Sequence, residues 1–404
     1  MSNMSFLEKL LDGAKVEWKR LGDVSKKITS GGTPQTGVPE YWEGGTIPWM
    51  SSGEVNLETV YRTENFITDI GLKNSSAKVV PKNSLVIALA GQGKTRGKVA
   101  RIRIDLTTNQ SLASITVKED VVNSDYLYHF LKTQYENLRQ ISSGSGTRGG
   151  LNLQIISNYK FPLPCPENPK KSLEIQAEIV RILETFTELT TELTAELGKR
   201  KKQFHYYRNQ VLSFKEGEVE WKMLGELAEN LDSKRKPITS GLRDAGEIPY
   251  YGASGIVDYV KDYIFDGDFL LVSEDGANLL ARNTPIAFSI SGKTWVNNHA
   301  HVLKFDTYAE RRYVEYYLNS IDLTPYISGA AQPKLNKKNL ESISIPNPSL
   351  EEKERIVATL DKFDALTNSS IEGLPREIEL RQKQYEFYRD LLLSFPTLDS
   401  EVMV

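Results

Sequence analysis

Apolar residues recur through the middle of the chain with alternating spacings of four and three. They are Ile175, Ile179, Ile182, Phe186, Leu189 and Leu193. A seven-residue repeat with two apolar positions is typical of a helix that packs along a partner helix. The pattern predicts one helix over residues 172–212, about 60 Å long at 1.5 Å per residue. Such a helix suits a spacer between globular domains.

A second apolar seam lies in the C-terminal part of the chain. Its members are Leu374, Ile378, Tyr385, Tyr388, Leu392 and Phe395, with Arg381 at the remaining heptad position. Gly373 and Pro375 in "TNSSIEGLPRE" (367–377) should end or kink the helical pattern there. We expect the two seams to pair as an antiparallel coiled coil. The alternative is a helical hairpin inside one large core.

The chain repeats itself at half its length. "VEWKRLGDV" (16–24) returns as "VEWKMLGEL" (219–227), which is 221 − 18 = 203 positions later counted from Trp to Trp. After each phrase comes a stretch rich in Gly, Ser, Pro and short β-branched runs. Each stretch closes on similar text, "LNLQIISNYKFPLPCP" (151–166) and "LNKKNLESISIPNP" (335–348). A repeat of this size predicts two related mixed α/β domains.

Helical text follows each globular stretch. "SLEIQAEIVRILETFTELT" (172–190) matches "SLEEKERIVATLDKFDALT" (349–367), and "KKQFHYYRNQVLSF" (201–214) matches "RQKQYEFYRDLLLSF" (381–395). We therefore divide the chain into a first domain, a central helical spacer, a second domain and a C-terminal helical spacer with tail. These segments are residues 1–168, 169–215, 216–348 and 349–404. The Ser-Phe pair that precedes each VEWK phrase (5–6 and 213–214) recurs near the C-terminus (394–395), so the order of the repeats is circular. This order favours a pseudo-twofold arrangement; gene duplication without functional use is the alternative.

A basic window marks the first globular half. Residues 70–104 contain no Asp or Glu, although acids outnumber bases in the whole chain, 53 to 50. The candidates for contact with a phosphate backbone are Lys94, Arg96, Lys98, Arg101 and Arg103, together with Arg148 in the Gly-rich loop 142–150. In "ARIRI" (100–104) strand alternation should place Arg101 and Arg103 on one face. The second half offers Arg282, Lys293, Lys334 and Lys337.

Amide side chains stand at the start of an apolar strand in each half. They are Asn109 and Gln110 in "TTNQSLASI" (107–115), and Asn297, Asn298 and His299 in "VNNHAHVL" (296–303). Asn and Gln can bond bidentately to adenine, so these residues are candidates for reading bases. Turn residues that bond to the local backbone are the alternative.

Composition narrows the classes further. A length of 404 residues suits two domains or more, and 39% hydrophobic with 25% charged residues is typical of globular proteins. Cys165 is the single cysteine, which excludes an internal disulfide and fits the cytoplasm. We expect neither a transmembrane helix nor a signal peptide. The net charge of −3 counts mildly against nucleic acid, so the distribution of charge has to decide.

The sequence predicts no active site and no metal site. "ALAGQGKT" (88–95) and "AFSISGKT" (287–294) end like phosphate-binding loops, but both lack the first glycine and precede strand-like text rather than a helix. His299 and His301 form an H-x-H pair that would share a face of a strand, without a third ligand at a suitable spacing.

The chain resembles the specificity subunits of type I restriction–modification enzymes, most closely the IC group. The resemblance covers nearly the whole chain and is carried by the repeated VEWK phrase and by the helical texts, such as "DKFDALTNSSIEGLPREIELRQKQYEFYRDLLLSFP" (361–396). It implies an α+β fold in which two target-recognition domains alternate with two long helical regions that form the antiparallel pair.

The same resemblance implies a non-catalytic subunit that binds double-stranded DNA. Each recognition domain would read half of a bipartite asymmetric site, while the helices set the gap and dock two modification subunits. S-adenosylmethionine, ATP and Mg²⁺ would belong to the modification and restriction subunits, with none in this chain and no membrane involved. An assembly scaffold without DNA binding, or less plausibly an NTP-binding enzyme, are the alternatives.

Overall fold

The fold was analysed in a computed structural model, which describes residues 6–91, 95–142, 150–215, 217–329, 332–369 and 371–395. The chain forms two compact units. Unit 1 contains residues up to 191 together with those from 379 onward, and unit 2 contains residues 192–378. Each unit is therefore built from both sequence copies. The predicted four-segment division stays a prediction about the sequence.

The elements of unit 1 are mixed helices and strands, as an α+β fold requires. They are α1 (Phe6–Leu11), β1 (Val16–Arg20), α2 (Leu21–Val24), β2 (Ser25–Ser30), β3 (Ile47–Met50), β4 (Thr59–Val60), β5 (Asn65–Ile67), α3 (Asp69–Lys73), β6 (Val79–Val80), β7 (Leu85–Ala88), β8 (Val99–Ile102), β9 (Leu106–Thr108), β10 (Leu112–Val117), α4 (Ser124–Thr133), α5 (Tyr135–Ser142), α6 (Leu153–Asn158), β11 (Lys160–Pro164) and the first part of α7 (Pro169–Val211). The sheets have the orders β2-β10-β7-β8-β4, β5-β3-β9-β6 and β1-β11.

Unit 2 repeats this plan with longer strands. Its elements are the rest of α7, then β12 (Glu220–Met223), α8 (Leu224–Leu227), β13 (Glu229–Asn230), β14 (Ala245–Gly252), β15 (Gly255–Val260), β16 (Phe265–Ser273), α9 (Asn278–Ala281), β17 (Ala287–Val296), β18 (Ala300–Lys304), α10 (Tyr308–Leu318), α11 (Lys337–Glu341), β19 (Ser344–Asn347), α12 (Leu350–Asn368) and the start of α13 (Gly373–Leu393). The sheets have the orders β13-β18-β16-β17-β14-β15 and β12-β19. No described helix is both long and apolar enough to cross a membrane.

In each globular half, the strand formed by the VEWK phrase pairs with the last strand of the same half. β1 pairs antiparallel with β11, with Trp18 opposite Pro162, and β12 pairs with β19, with Trp221 opposite Pro346. The glycine of each phrase lies under a helix, because a Cβ on Gly22 would come within 2.4 Å of the Ser157 hydroxyl. The same closure in both halves explains why the phrase and the closing text recur together.

The predicted helix over 172–212 is confirmed as α7, which runs unbroken over 43 residues. The predicted interruption is also confirmed, since α12 ends at Asn368 and α13 begins at Gly373, whose φ is +79°. A left-handed φ favours glycine there. Pro375 lies in the first turn of α13, where its missing N–H removes no helical hydrogen bond.

Helix pairing has the same form within each unit. In unit 1, Phe186 of α7 stacks on Tyr388 of α13 at 5.2 Å between ring centroids. In unit 2, Tyr207 of α7 stacks on Phe363 of α12 at 5.8 Å. Phe363 corresponds to Phe186 when Ser349 is matched to Ser172, because 363 − 349 and 186 − 172 both equal 14. The two pairs are therefore the same contact, made once in each unit.

The seams pack less uniformly than predicted. Ile175, Ile179 and Leu392 are buried in the core of unit 1, and Leu183 is fully buried where the heptad named the half-buried Ile182. Phe395 is also buried. The remaining apolar seam residues are half-buried: Phe186, Leu189, Leu193, Leu374, Ile378, Tyr385 and Tyr388. Beyond the predicted seam, the second half of α7 packs on α12 through Phe204 and Tyr207.

Candidate nucleic-acid interface

Three loops meet at one end of the five-stranded sheet in unit 1. β2 ends at Ser30 opposite Ala113, and β7 ends at Ala88 opposite Leu112, so the loops after both strands lie beside the turn before β10. The Leu89 N–H donates to the Ser111 carbonyl at 2.8 Å across this group. We call residues 31–37, 89–91, 95–98 and 109–111 the loop edge of unit 1.

Unit 2 has a loop edge built in the same way. The Lys236 N–H donates to the Val296 carbonyl at 3.4 Å, as the Gly32 N–H donates to the Thr108 carbonyl at 2.9 Å in unit 1. β16 ends at Ser273 opposite Ala300, which brings the following loop beside the turn before β18. The loop edge of unit 2 is defined as residues 233–238, 274–286 and 297–299.

Asn109 and Asn297 hold the turns of the two loop edges. Each donates its backbone N–H at 3.0 Å to the carbonyl of a parallel strand, on Met50 and Tyr251 respectively. Each side-chain oxygen accepts a backbone N–H two residues on, at 3.1 Å from Ser111 and 2.8 Å from His299. These two side chains therefore fit the alternative interpretation, in which polar groups bond the local backbone.

The residue after each of these asparagines is exposed at the tip of the turn. Gln110 and Asn298 are both exposed, and the Gln110 carbonyl oxygen accepts a hydrogen bond from the Thr33 hydroxyl at 2.6 Å. Among the described residues, neither the Gln110 amide NH₂ nor the Asn298 side-chain amide has a hydrogen-bond partner. Of the four amides predicted to read bases, these two are the exposed ones.

The basic window of the first half is divided between two ends of the sheet. Lys98 and Arg96 are at the loop edge, where the Lys98 ammonium donates to Asn56 at 2.7 Å. Arg96 donates to the Ser142 hydroxyl at 3.4 Å, directly before residues 143–149. Lys94 and Arg148 lie outside the described residues.

Arg101 and Arg103 share a face, as predicted, but that face points into the protein. Both bond Asp125, at 3.0 and 2.6 Å, and Arg101 also pairs with Glu184 of α7. Burial alone would lower the pKa of Arg101, but Glu184 and Asp125 outweigh it and raise it. The Arg101 side chain is only 10% exposed, so we correct the sequence-based assignment and remove it from the DNA surface. Arg103, at 21%, contributes little surface.

In unit 2 three of the four basic candidates are exposed, and each of these three has a partner. Lys334 pairs with Glu274 at 3.1 Å, Lys337 with Glu341 at 3.6 Å, and the Lys293 ammonium lies 4.7 Å from the centre of the Tyr263 ring. Arg282 is half-buried at the end of α9. Exposed ion pairs are weak and can exchange their partner for a phosphate.

The two histidines do not share a face. His299 precedes β18 and pairs with Asp275 at 2.9 Å, whereas His301 lies within β18 and is fully buried. The expected H-x-H face was wrong because the strand begins one residue after His299. His301 bonds Asp232 at 2.6 Å and the Leu335 carbonyl at 2.7 Å.

Asp232, Glu274 and His301 bring three potential metal ligands together. Arg235 already supplies a cation to this group, at 2.6 Å from Glu274 and 3.4 Å from Asp232. Burial would raise the pKa of Asp232, but the hydrogen bond with His301 outweighs it and lowers the pKa. These ion pairs and hydrogen bonds therefore hold together the three chain segments around residues 232–235, 274 and 301, at the loop edge of unit 2.

Comparison with known proteins decides the family. A family model described as the type I restriction modification DNA specificity domain matches residues 14–200 and again residues 216–380. The chain belongs to the type I restriction–modification specificity family. Each match spans one globular half and the helix after it, which is the repeat seen in the sequence.

Relatives of full length support the same assignment. The chain is 36% identical over 422 aligned residues to the EcoR124I/EcoR124II specificity subunit of Escherichia coli, covering 98% of each protein. It is 35% identical to the EcoprrI specificity subunit of Escherichia coli, covering 92% of this chain and 93% of the relative. The crystal structure of the type I S subunit from M. genitalium superposes with a TM-score of 0.60 at 15% identity, over 96% and 98% of the chains. That likeness shows the fold.

Sequence reasoning missed two features of this specificity-family chain. Lys234 and Lys236 are exposed in the loop edge of unit 2, and the run "KRK" (234–236) was a charge signal that could have found them. Glu184 and Asp361, which tie α7 and α12 to the globular parts, occupy equal positions in the repeat (184 − 172 and 361 − 349 both equal 12). Aligning the copies would have singled out these carboxylates.

The two GKT texts have different surroundings. Thr95 is followed by a turn and then β8, while Gly292, Lys293 and Thr294 lie inside β17. A phosphate-binding loop of the nucleotide-hydrolysing type must open into a helix. Neither text does so.

Proposed function

We propose that each unit reads one half of a bipartite DNA site through its loop edge. The observation that carries this proposal is that the two edges share a backbone plan and differ in their exposed side chains. Gln110 is exposed at the tip of one edge, and Asn298 with Lys236 on the other. An asymmetric site has two different half-sites, so two edges with the same backbone plan need different exposed side chains to read them.

Within each edge the roles divide between specificity and affinity. Gln110 and Asn298 present amides that can bond bidentately to adenine in the major groove. Lys98, Lys236 and Lys334 supply positive charge for the phosphates, which fixes the register of the protein on the duplex. Asn109 and Asn297 shape the turns from which the reading residues project.

The helices carry the second part of the proposal. α7 is continuous over 43 residues and takes part in both units, so it supports a ruler that sets the unspecified gap between the half-sites. The helical regions would also dock two modification subunits, which bind S-adenosylmethionine and methylate adenine. Restriction subunits that use ATP and Mg²⁺ would complete the assembly.

This chain would itself catalyse nothing and would work in the cytoplasm, where its DNA substrate and partner subunits are found. The reactive groups that the structure brings together, such as Asp232, His301 and Arg235, are bonded to one another rather than to an open site. This pattern supports a recognition role for the chain.

Genome-wide sequencing of methylated adenine tests the proposal. Cells that make the partner modification subunit would be compared with and without this chain, and a bipartite motif should appear only with it. A complex that assembles and produces no motif would contradict DNA reading and favour an assembly scaffold. A gel shift of the complex with duplex DNA at several salt concentrations would separate these two. Tight binding of ATP by the chain alone would favour the NTP-binding alternative.

A further inference from the structure

Unit 2 contains a cavity of about 520 Å³ between α7, α10, α12 and the segment before β17. Its size falls in the range of about 300–1,000 Å³ that small-molecule sites occupy. Phe204, Phe288 and Tyr316 line it together with the amides of Asn283, Asn319 and Asn368. Residues 282–286 belong both to the loop edge of unit 2 and to the lining of this cavity, and the proposed reading of bases assigns no role to the cavity itself.

One wall of the cavity is basic. Lys201, His205 and Arg208 line it from α7, where spacings of four and three place them on one helix face. Arg282 lines it from the end of α9, held in the left-handed region at φ +50°. Two separate elements therefore bring their positive groups to the same space.

The two arginines form no ion pair in the described part of the chain. Burial lowers the pKa of Arg282, and the nearby charge of Asp322 only partly opposes this. The one hydrogen bond found there from the Arg208 guanidinium goes to Asn209 at 3.4 Å. Nε of Arg208 and Nη2 of Arg282 are buried and have no hydrogen-bond partner. Buried donors without partners are costly, which makes these two atoms strong candidates to bond a ligand.

The acids in the same wall are bonded to other groups and not to these two arginines. Glu315 accepts hydrogen bonds from Ser289 at 2.5 Å and from Arg312 at 2.6 Å, and Asp364 pairs with Arg312 at 3.1 Å. Arg312 is therefore the ion-pair partner of these two acids, and it also pairs with Asp361. Among the residues that line the cavity, the cations Lys201, Arg208 and Arg282 outnumber the acids Glu315 and Asp364.

The pKa shifts agree with this geometry. Burial lowers the pKa of Arg208, and the charge of Arg282 lowers it further. Burial also lowers the pKa of His205, with additional repulsion from Arg208 and Lys201. An anion in the cavity would relieve this repulsion.

We propose that this cavity is a phosphate-binding site formed by Arg208, Arg282, Lys201 and His205. Guanidinium groups match phosphate oxygens with paired hydrogen bonds, and a doubly charged phosphate satisfies several cations at once. The phosphate could be part of a small phosphorylated compound or of the DNA backbone. The site is independent of which bases the loop edges read.

Calorimetric titration of the full chain with inorganic pyrophosphate, at constant ionic strength, tests the proposal. Saturable binding is expected, and Arg208→Gln or Arg282→Gln should weaken it at least about tenfold, because each removes a charge-assisted hydrogen bond. Lys201→Gln should weaken it about threefold. Lys201 is exposed, so its variant does not put folding at risk.

Arg389→Gln is the matched control. Arg389 corresponds to Arg208 in the repeat (389 − 208 and 394 − 213 both equal 181) and pairs with Asp390 at 2.7 Å. Pyrophosphate affinity should be unchanged in this variant. Absence of saturable binding, or an equal loss in Arg389→Gln, would overturn the site.

Competition identifies the source of the phosphate. If duplex DNA displaces pyrophosphate from the chain, and Arg208→Gln removes that competition, the backbone is the source. If both bind together, a small phosphorylated compound is the source. Either result requires the Arg208–Arg282 pair and supports the site.

Discussion

Arg101 of β8 binds Glu184 of α7 through both guanidinium Nη atoms, with Nη2 at 3.1 Å from Oε2. His129 of α4 bonds the same carboxylate at 2.8 Å, and the Arg101 guanidinium lies 4.8 Å from the centre of the Tyr128 ring. Side chains from β8 and α4 thus both bond the Glu184 carboxylate of α7. Glu184 fixes α7 to the globular part of unit 1.

Removing this carboxylate should loosen unit 1. We expect Glu184→Ala to cost about 2–3 kcal/mol, toward the low end for a buried ion pair because Asp125 still compensates Arg101. Hydrogen exchange of the α4 amides would measure the loss. Glu178→Ala is the control: Glu178 forms an exposed ion pair with Arg181 on the same helix, and its removal should cost less than about 1 kcal/mol. Equal effects of the two variants would contradict the role of Glu184.

The same contact predicts acid sensitivity. Burial alone would raise the pKa of Glu184, but hydrogen bonds from His129 and Arg101 outweigh it and bring the pKa to about 2, against an ordinary 4.5. Since the folded-state pKa is depressed, the stability is complete above about 4.5 and is lost as the pH falls toward 2. The stability difference between the wild type and Glu184→Gln in urea should therefore shrink between about pH 5 and pH 3. A constant difference would contradict the assignment.

The corresponding contact in unit 2 shows what the sequence could not predict. Asp361 stands where Glu184 stands, yet its arginine is Arg312 of α10 and comes from a helix instead of a strand. Heptad spacing and the repeat predicted α7 and its break because those signals are local. Which side chains meet was not predictable, since Arg101 and Glu184 are 83 positions apart.

The loop edges show the same limit. Alternation placed Arg101 and Arg103 on one face, but it could not tell an outer face from one covered by α4 and α7. Asn109 and Asn297 were correctly located at strand starts, and only the structure shows their oxygens committed to backbone N–H groups. Pattern reasoning thus located the strands and turns, and the three-dimensional contacts show which side-chain atoms in them are already bonded.

Gln110 and Asn298 should each affect the recognition of only one half-site. Gln110→Ala should alter or relax one half of the methylated motif, and Asn298→Ala the other half, at about 1–3 kcal/mol of discrimination each. Adenine-methylation sequencing of each variant complex measures this. Asn209→Ala, an exposed amide on α7, is the control and should leave the motif unchanged. A change in both halves from one substitution would contradict independent reading.

Lys236 should contribute affinity without sequence preference. It is exposed in the loop edge of unit 2, and its replacement by Ala should lower the slope of log affinity against log salt by about one. The motif itself should stay the same. Lys383→Ala is the control, because Lys383 is paired with Glu379 on α13 and should leave the slope unchanged. An unchanged slope in Lys236→Ala would place the phosphate contacts elsewhere.

Lengthening α7 should lengthen the gap between half-sites and leave both half-sites readable. An insertion of about seven residues between Leu189 and Leu193 adds about two turns and 10 Å, while the heptad register is kept. At about 3.4 Å per base pair the gap should grow by up to about three base pairs. An insertion of about two residues is the control, since it turns the seam away from its partner and should reduce assembly. Methylation sequencing reports both results, and a half-site that changed its bases after the seven-residue insertion would contradict the separation of ruler from reader.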